Sequence, residues 1–279
     1  MLPSGSLAEY VDYYFVIEKE PFENASPVEV LPAPQAEMVF TYGDERSSYS
    51  VIGKNEEHLS SDYAVSGFFT KKATYRNNSR LGVVMVGFKP WGIQPFIDFS
   101  IAEITNQKLD FKNILPSKIQ ILEDELRVAK TDEGRVSVIE KFLLGILCSH
   151  KPDLLVNEAV KQISQFNGQI PVRELASRFH LCEKQFKRRF VRTIGITPKL
   201  FSRLVRFQYI LTLMDNTRVK LLDTAIQTGF YDQAHFVKEF EEFTNVSPKK
   251  YLQNNRKTDL GSYFEDQIKE SLFYNTIYK

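Results

Sequence analysis

The sequence predicts an α+β protein. Its amino-terminal half reads as a β-barrel or sandwich with appended helices, and its carboxy-terminal half as two helix-turn-helix units joined by a linker helix. Three observations carry this. Short β-branched and aromatic runs fill the first ninety positions. Beyond Pro90 the apolar residues recur at helical spacing. Between Leu175 and Tyr251 a single pattern occurs twice.

The expected strands are Tyr10–Ile17, Glu37–Tyr42, Tyr49–Ile52, Tyr63–Phe69 and Leu81–Phe88. Turn signals stand between them at Pro32-Ala33-Pro34, Tyr42-Gly43-Asp44 and Arg76-Asn77-Asn78-Ser79. Helices are expected over Ile114–Val128, Arg135–Leu147 and Leu154–Phe166; in the second, Val136, Ile139, Phe142, Leu143 and Ile146 share one face. The first two offer more apolar surface than a small β domain readily covers, which points to self-association. Pro152 punctuates the chain, giving a β-rich regulatory domain over 1–150, a helical domain over 153–254 and a tail over 255–279.

Composition excludes several classes. The chain is 43% hydrophobic and 25% charged, so it is neither disordered nor collagen-like. No apolar run approaches the roughly 18 residues of a spanning helix, and no basic-then-apolar segment follows Met1. Cys148 and Cys182 are too few for a disulfide framework and suit a reducing compartment. A soluble cytoplasmic protein with no membrane partner is expected. Its net charge of +1 hides an asymmetry, because residues 1–152 carry −5 and residues 153–257 carry +8. A basic block beside an acidic partner suggests that one half meets a polyanion.

The repeat locates that half. Leu175-Ala176, Phe186, Phe190, Gly195, Thr197-Pro198 and Phe201 reappear as Thr224-Ala225, Phe236, Phe240, Asn245, Ser247-Pro248 and Tyr251. From the phenylalanines onward the offset is 50, and before them it is 49. Leu200, Leu204, Phe207, Leu211 and Met214 form one stripe between the copies, a rigid connecting helix. In the second copy Gly229 supplies a left-handed turn and Asp232 an N-cap for a helix from Gln233 to Phe243. In the first, His180 stands where that glycine would, a residue that adopts the left-handed turn at some cost.

The helix Glu183–Thr193 must turn Phe186 and Phe190 inward. At about 100° per residue, Lys184 and Arg188 then lie opposite the core, Gln185 and Lys187 at its edges, Arg192 alongside, and Arg189 turns back toward the protein. A helix fits the major groove, where Arg or Lys pairs with guanine and Gln with adenine. A solvated basic face is the bland alternative, and the duplicated turn counts against it.

Over residues 153–254 the sequence resembles the AraC/XylS transcription regulators. The resemblance is carried by both units, the connecting helix, and the order Gly229-Phe230-Tyr231-Asp232, Phe236-x-x-x-Phe240 and Ser247-Pro248-Lys249-Lys250-Tyr251. It implies two recognition helices about one DNA turn apart in successive major grooves, with base-reading positions at Lys184 and Arg188 in the first helix and Gln233 and Lys238 in the second. The candidate DNA-binding set is therefore Lys184, Gln185, Lys187, Arg188 and Arg192 with Gln233, His235 and Lys238. Cys182 departs from the usual serine N-cap. The second unit is acidic: Asp223, Asp232, Glu239, Glu241 and Glu242 stand against Lys238. With Glu241 and Glu242 expected to face outward and repel phosphates, the first unit should supply most of the DNA affinity.

The amino-terminal half resembles, less specifically, cupin-like sensor domains, through Pro3–Phe15, Val30-Leu31-Pro32 and Gly87-Phe88-Lys89-Pro90-Trp91-Gly92. His58 and His150 do not make the histidine cluster of a metal-binding cupin, and no cofactor motif occurs, so no metal and no cofactor are expected. Trp91 and the aromatic strands serve either a core or a ligand pocket. The partners implied are double-stranded DNA, RNA polymerase for an activator, a small-molecule effector and a second copy of the chain. Two other classes stay open: a DNA-targeted alkyl-transfer enzyme, which would need a reactive cysteine cluster, and a protein-interaction module with a weakened DNA surface.

Overall fold

In a computed structural model of the chain, the described residues are 1–19, 28–43, 47–51, 57–59, 61–77, 80–148, 151–215, 226 and 228–254. The amino-terminal strands are β1 (Val11–Lys19), β2 (Val28–Val30), β3 (Glu37–Thr41), β4 (Ser47–Val51), β5 (Glu57–Leu59), β6 (Tyr63–Ser66), β7 (Ala73–Asn77), β8 (Leu81–Phe88) and β9 (Lys108–Asp110). They form two antiparallel sheets, ordered β1-β8-β3-β6-β9 and β2-β7-β4-β5. The sheets stay open as a sandwich and do not close into a barrel. The strand expected to run to Phe69 stops at Ser66. There Gly67 lies so close to Ile104 that a Cβ would sit 2.7 Å from its carbonyl oxygen, and Phe68 turns into the core instead.

The two faces of the five-stranded sheet differ. One carries Met38, Phe40, Val84 and Val86, all fully buried beneath two helices, α1 (Pro116–Val128) and α2 (Asp132–Ile146). Phe142 of α2 meets Phe40 edge-on at 5.7 Å. The α2 helix starts three residues before its expected position because the Thr131 hydroxyl accepts a hydrogen bond from Gly134 N at 3.1 Å, a cap worth about 1 kcal/mol. These helices spend most of their apolar stripes on the sheet, leaving Ile121, Val128 and Leu144 as exposed apolar residues. The other face looks toward the four-stranded sheet.

Among the described residues the following helices come next: α3 (Leu154–Gln165), α4 (Val172–Arg178), α5 (Glu183–Ile194), α6 (Pro198–Asp215), α7 (Gln233–Thr244) and α8 (Pro248–Asn254). The helix α6 serves both units, through Phe207 of the expected stripe and through Phe201 beside it. Phe201 meets Phe190 of α5 at 5.6 Å, and Phe207 meets Phe240 and Phe243 of α7 at 5.6 and 4.9 Å. Eighteen residues make α6 about 27 Å long. Thr224-Ala225, Asp223, His150 and the tail 255–279 lie outside the described residues.

The two halves share a continuous core. Phe68 packs against Phe201 at 6.3 Å, and Gln208 Nε2 donates to the Pro32 carbonyl at 2.6 Å. The 3-10 turn Ile101–Ile104 seats on the end of α5. Gly195 there has φ +88°, and a Cβ would lie 2.7 Å from Ile101 Cγ2.

Candidate nucleic-acid interface

The first unit is built on two phenylalanines. Phe186 and Phe190 are fully buried, each burial stabilising by about 1.5–3 kcal/mol, and they fix the rotation of α5. Lys184, Gln185, Lys187, Arg188 and Arg192 are all exposed in consequence. Among the described residues the four cations of this set make no ion pair. Arg189 behaves differently, as its neighbours' rotation requires. Its Nε meets Asp153 Oδ2 at 2.5 Å, and the same carboxylate caps α3 through Val156 N at 3.1 Å. Hydrogen bonding to Asp153 raises the Arg189 guanidinium above its ordinary value.

Gln185 has a second task. Its Oε1 accepts the Cys182 N–H at 3.3 Å, so the amide holds the helix start and leaves Nε2 as the group able to turn outward. The turns repeat as expected. His180 has φ +54° where Gly229 has +73°, and at the helix ends Gly195 (+88°) is matched by Asn245 (+62°).

In the second unit Asp232 caps α7, accepting from His235 N at 2.7 Å. Gln233, His235 and Lys238 are exposed, and the His235 ring leans on Phe230 at 5.1 Å. The acidic residues are not all turned loose on solvent. Arg203 of α6 donates from Nε to buried Glu239 at 3.0 Å and from an Nη to Glu242 at 2.6 Å. Burial opposes the Arg203 charge, and the two carboxylates outweigh it, holding the guanidinium above its usual value. The expectation that Glu241 and Glu242 both act as unscreened repellents is therefore corrected for Glu242, which spends its charge on Arg203. Glu241 is exposed and has no ion-pair partner among the described residues.

The two units flank one groove of about 660 Å³. Glu183 at the start of α5 lies on one side and His235, Lys238 and Glu242 on the other, with Lys199, Arg203 and Arg206 of α6 along the floor. Burial pushes the Arg206 guanidinium down; it donates to the Gly168 carbonyl at 3.1 Å and stacks over Phe230. Lys199, Arg203 and Arg206 are functional candidates that the sequence reading missed. Their i, i+4, i+7 spacing on the linker helix is the signal that would have found them.

Residues 175–254 match the family model described as a helix-turn-helix domain, and residues 1–110 match one described as a domain of unknown function, DUF6597. The chain is 27% identical over 110 residues to an uncharacterized HTH-type transcriptional regulator of Haemophilus influenzae, and 27% over 109 residues to the HTH-type transcriptional regulator MtrA of Neisseria gonorrhoeae. Each match takes in 39% of this chain, and only 37% and 36% of the relatives' own lengths. A solved structure of ToxT from Vibrio cholerae aligns over 86% of this chain and 96% of its own, at 14% identity and a TM-score of 0.45.

Proposed function

We propose that this chain, whose residues 175–254 match a helix-turn-helix domain, is a sequence-specific DNA-binding transcription regulator of the AraC type. The observation that carries the reading is the exposed face of α5, where Lys184, Lys187, Arg188 and Arg192 stand opposite the Phe186/Phe190 core and form no ion pair among the described residues. Cations left unneutralised on a helix of groove-fitting diameter are what base and phosphate contacts require. On this reading Lys184 and Arg188 read base edges, Gln185 offers its amide, and Lys187 and Arg192 meet phosphates. Gln233, His235 and Lys238 approach a second groove segment, with Lys199 and Arg206 facing the backbone between.

Within this proposal residues 1–150 regulate by sensing a small molecule, residues 153–254 bind DNA, and the protein works in the cytoplasm without catalysing a reaction. No described helix is long and apolar enough to cross a membrane. Contact with RNA polymerase and self-association through α1 and α2 are finer readings of the same function. Sedimentation of the full chain at about 10–50 µM, micromolar being the usual range of a specific contact, tests the latter: a dimer is expected, and a single species of monomer mass removes it. Selection of binding sites from a random duplex pool tests the main reading. Enrichment of one shared motif is expected; an unenriched pool would contradict it.

A further inference from the structure

The two helix-turn-helix units differ by one residue. Between the left-handed residue and the N-cap, the first unit has Leu181 alone, from His180 to Cys182. The second has Phe230 and Tyr231, from Gly229 to Asp232. That extra residue is what moves the repeat offset from 49 to 50. Leu181 has two tasks in its turn. It packs against the core, and with Gln185, Arg188, Arg189 and Arg192 it lines a hollow of about 350 Å³ on the α5 surface.

In the second unit those tasks fall to different residues. Phe230 takes the core place: it is 7% exposed, edge-on to Phe236 at 5.5 Å and beneath the Arg206 guanidinium. Tyr231 takes the outward place and is 95% exposed. Among the described residues its side chain has no hydrogen-bonding, aromatic or cationic partner. The backbone on both sides is fixed. Gly229, at φ +73°, lies so close to Gln169 that a Cβ would meet its Oε1 at 2.7 Å. On the other side the Asp232 carboxylate accepts the His235 N–H at 2.7 Å. An anchored turn thus holds a large ring in water one residue before the cap of α7, next to exposed Gln233.

We propose that Tyr231 is a specificity-determining residue of the second unit, its ring packing on the 5-methyl group of one thymine in the major groove. The proposal rests on the reading that α7 meets DNA. Residues at the start of a recognition helix reach base edges, and the thymine methyl is the apolar group that the major groove displays. Charge points the same way. Within α7, Lys238 is opposed by Glu239, Glu241 and Glu242, so phosphates hold this helix less well than they hold α5. An apolar contact needs no cation. Covering the face of an exposed ring against a methyl group removes apolar surface of both from water. The two units then recognise DNA by different chemistry, α5 through guanidinium and ammonium groups and the α7 turn through an aromatic ring. The rival contact for the same side chain is its hydroxyl on a phosphate.

The test takes the full chain and a duplex obtained by binding-site selection, in which each thymine in turn is replaced by uracil. Uracil lacks only the methyl group. At one position the native protein should lose about fourfold in affinity, the scale of one buried methyl group. Tyr231→Ala should bind thymine and uracil equally there, and Tyr231→Phe should keep the native preference because the ring remains. Both variants should keep the native melting midpoint, since the side chain is almost wholly exposed. Tyr231→Ala should also keep the native slope of log affinity against log salt, as no phosphate contact is lost. A flat uracil scan, or the same sensitive positions in Tyr231→Ala as in the native chain, overturns the proposal. So does a shallower salt slope in Tyr231→Ala with the preference lost in Tyr231→Phe, which would make the hydroxyl a phosphate contact. A pool without an enriched motif fails the DNA-binding reading and this proposal together; an enriched motif with a flat scan fails this proposal alone.

Discussion

Arg203 sets the charge that the second unit presents at the groove. It ties Glu239 and Glu242 to the linker helix, so the local field depends on which carboxylate is removed. Replacing Glu242 with glutamine frees one face of a guanidinium that already lines the groove. We expect Glu242→Gln to tighten DNA binding and to steepen the slope of log affinity against log salt by up to about 1, the value of one additional phosphate contact. Glu241→Gln removes only an exposed charge, and its smaller gain should vanish by about 0.15 M salt, where screening acts over roughly 8 Å. Fluorescence anisotropy across a salt series reads both. An unchanged slope in Glu242→Gln would mean that Arg203 meets no phosphate.

At the scale of elements, the repeated helix ends offer a matched pair of positions. Gly195 and Asn245 end α5 and α7 in the same left-handed conformation, and Gly195 lies against Ile101 and Ala102 of the amino-terminal half. Gly195→Ala should cost about 2–4 kcal/mol, combining backbone strain with displacement of Ile101, whereas Asn245→Ala should cost about 1 kcal/mol. Urea unfolding measures both, and equal losses would mean that the Ile101 contact contributes nothing in solution. The helical elements were legible in the sequence because a single physical cause wrote them. Phe186 and Phe190 had to face inward, which put Lys184 and Arg188 outward, and His180 could take the left-handed turn. The smaller strands were not legible. Glu57-His58-Leu59 and Lys108-Leu109-Asp110 are three residues each, too short for an alternating signal, and exist because a neighbouring strand pairs with them. The Arg203 bridge was invisible for a similar reason. It links residues 36 and 39 positions apart, a separation no local period encodes.

At the scale of the molecule, the shared core makes the orientation of α5 a property of both halves. Phe68 against Phe201 and Gln208 against Pro32 place the β sandwich directly on the linker helix that sets the spacing of the two units. Packed elements therefore run without a break from the sandwich to α6 and α5. The proposed function requires that the α5 face read sequence. The most direct measurement compares native protein and Arg188→Ala on a duplex obtained by selection and on a scrambled duplex of equal length, at one salt concentration. A base contact predicts a loss of about 1–3 kcal/mol on the selected duplex and little change on the scrambled one. Equal weakening on both would make Arg188 a phosphate contact and contradict the reading of α5 as the sequence-specific helix.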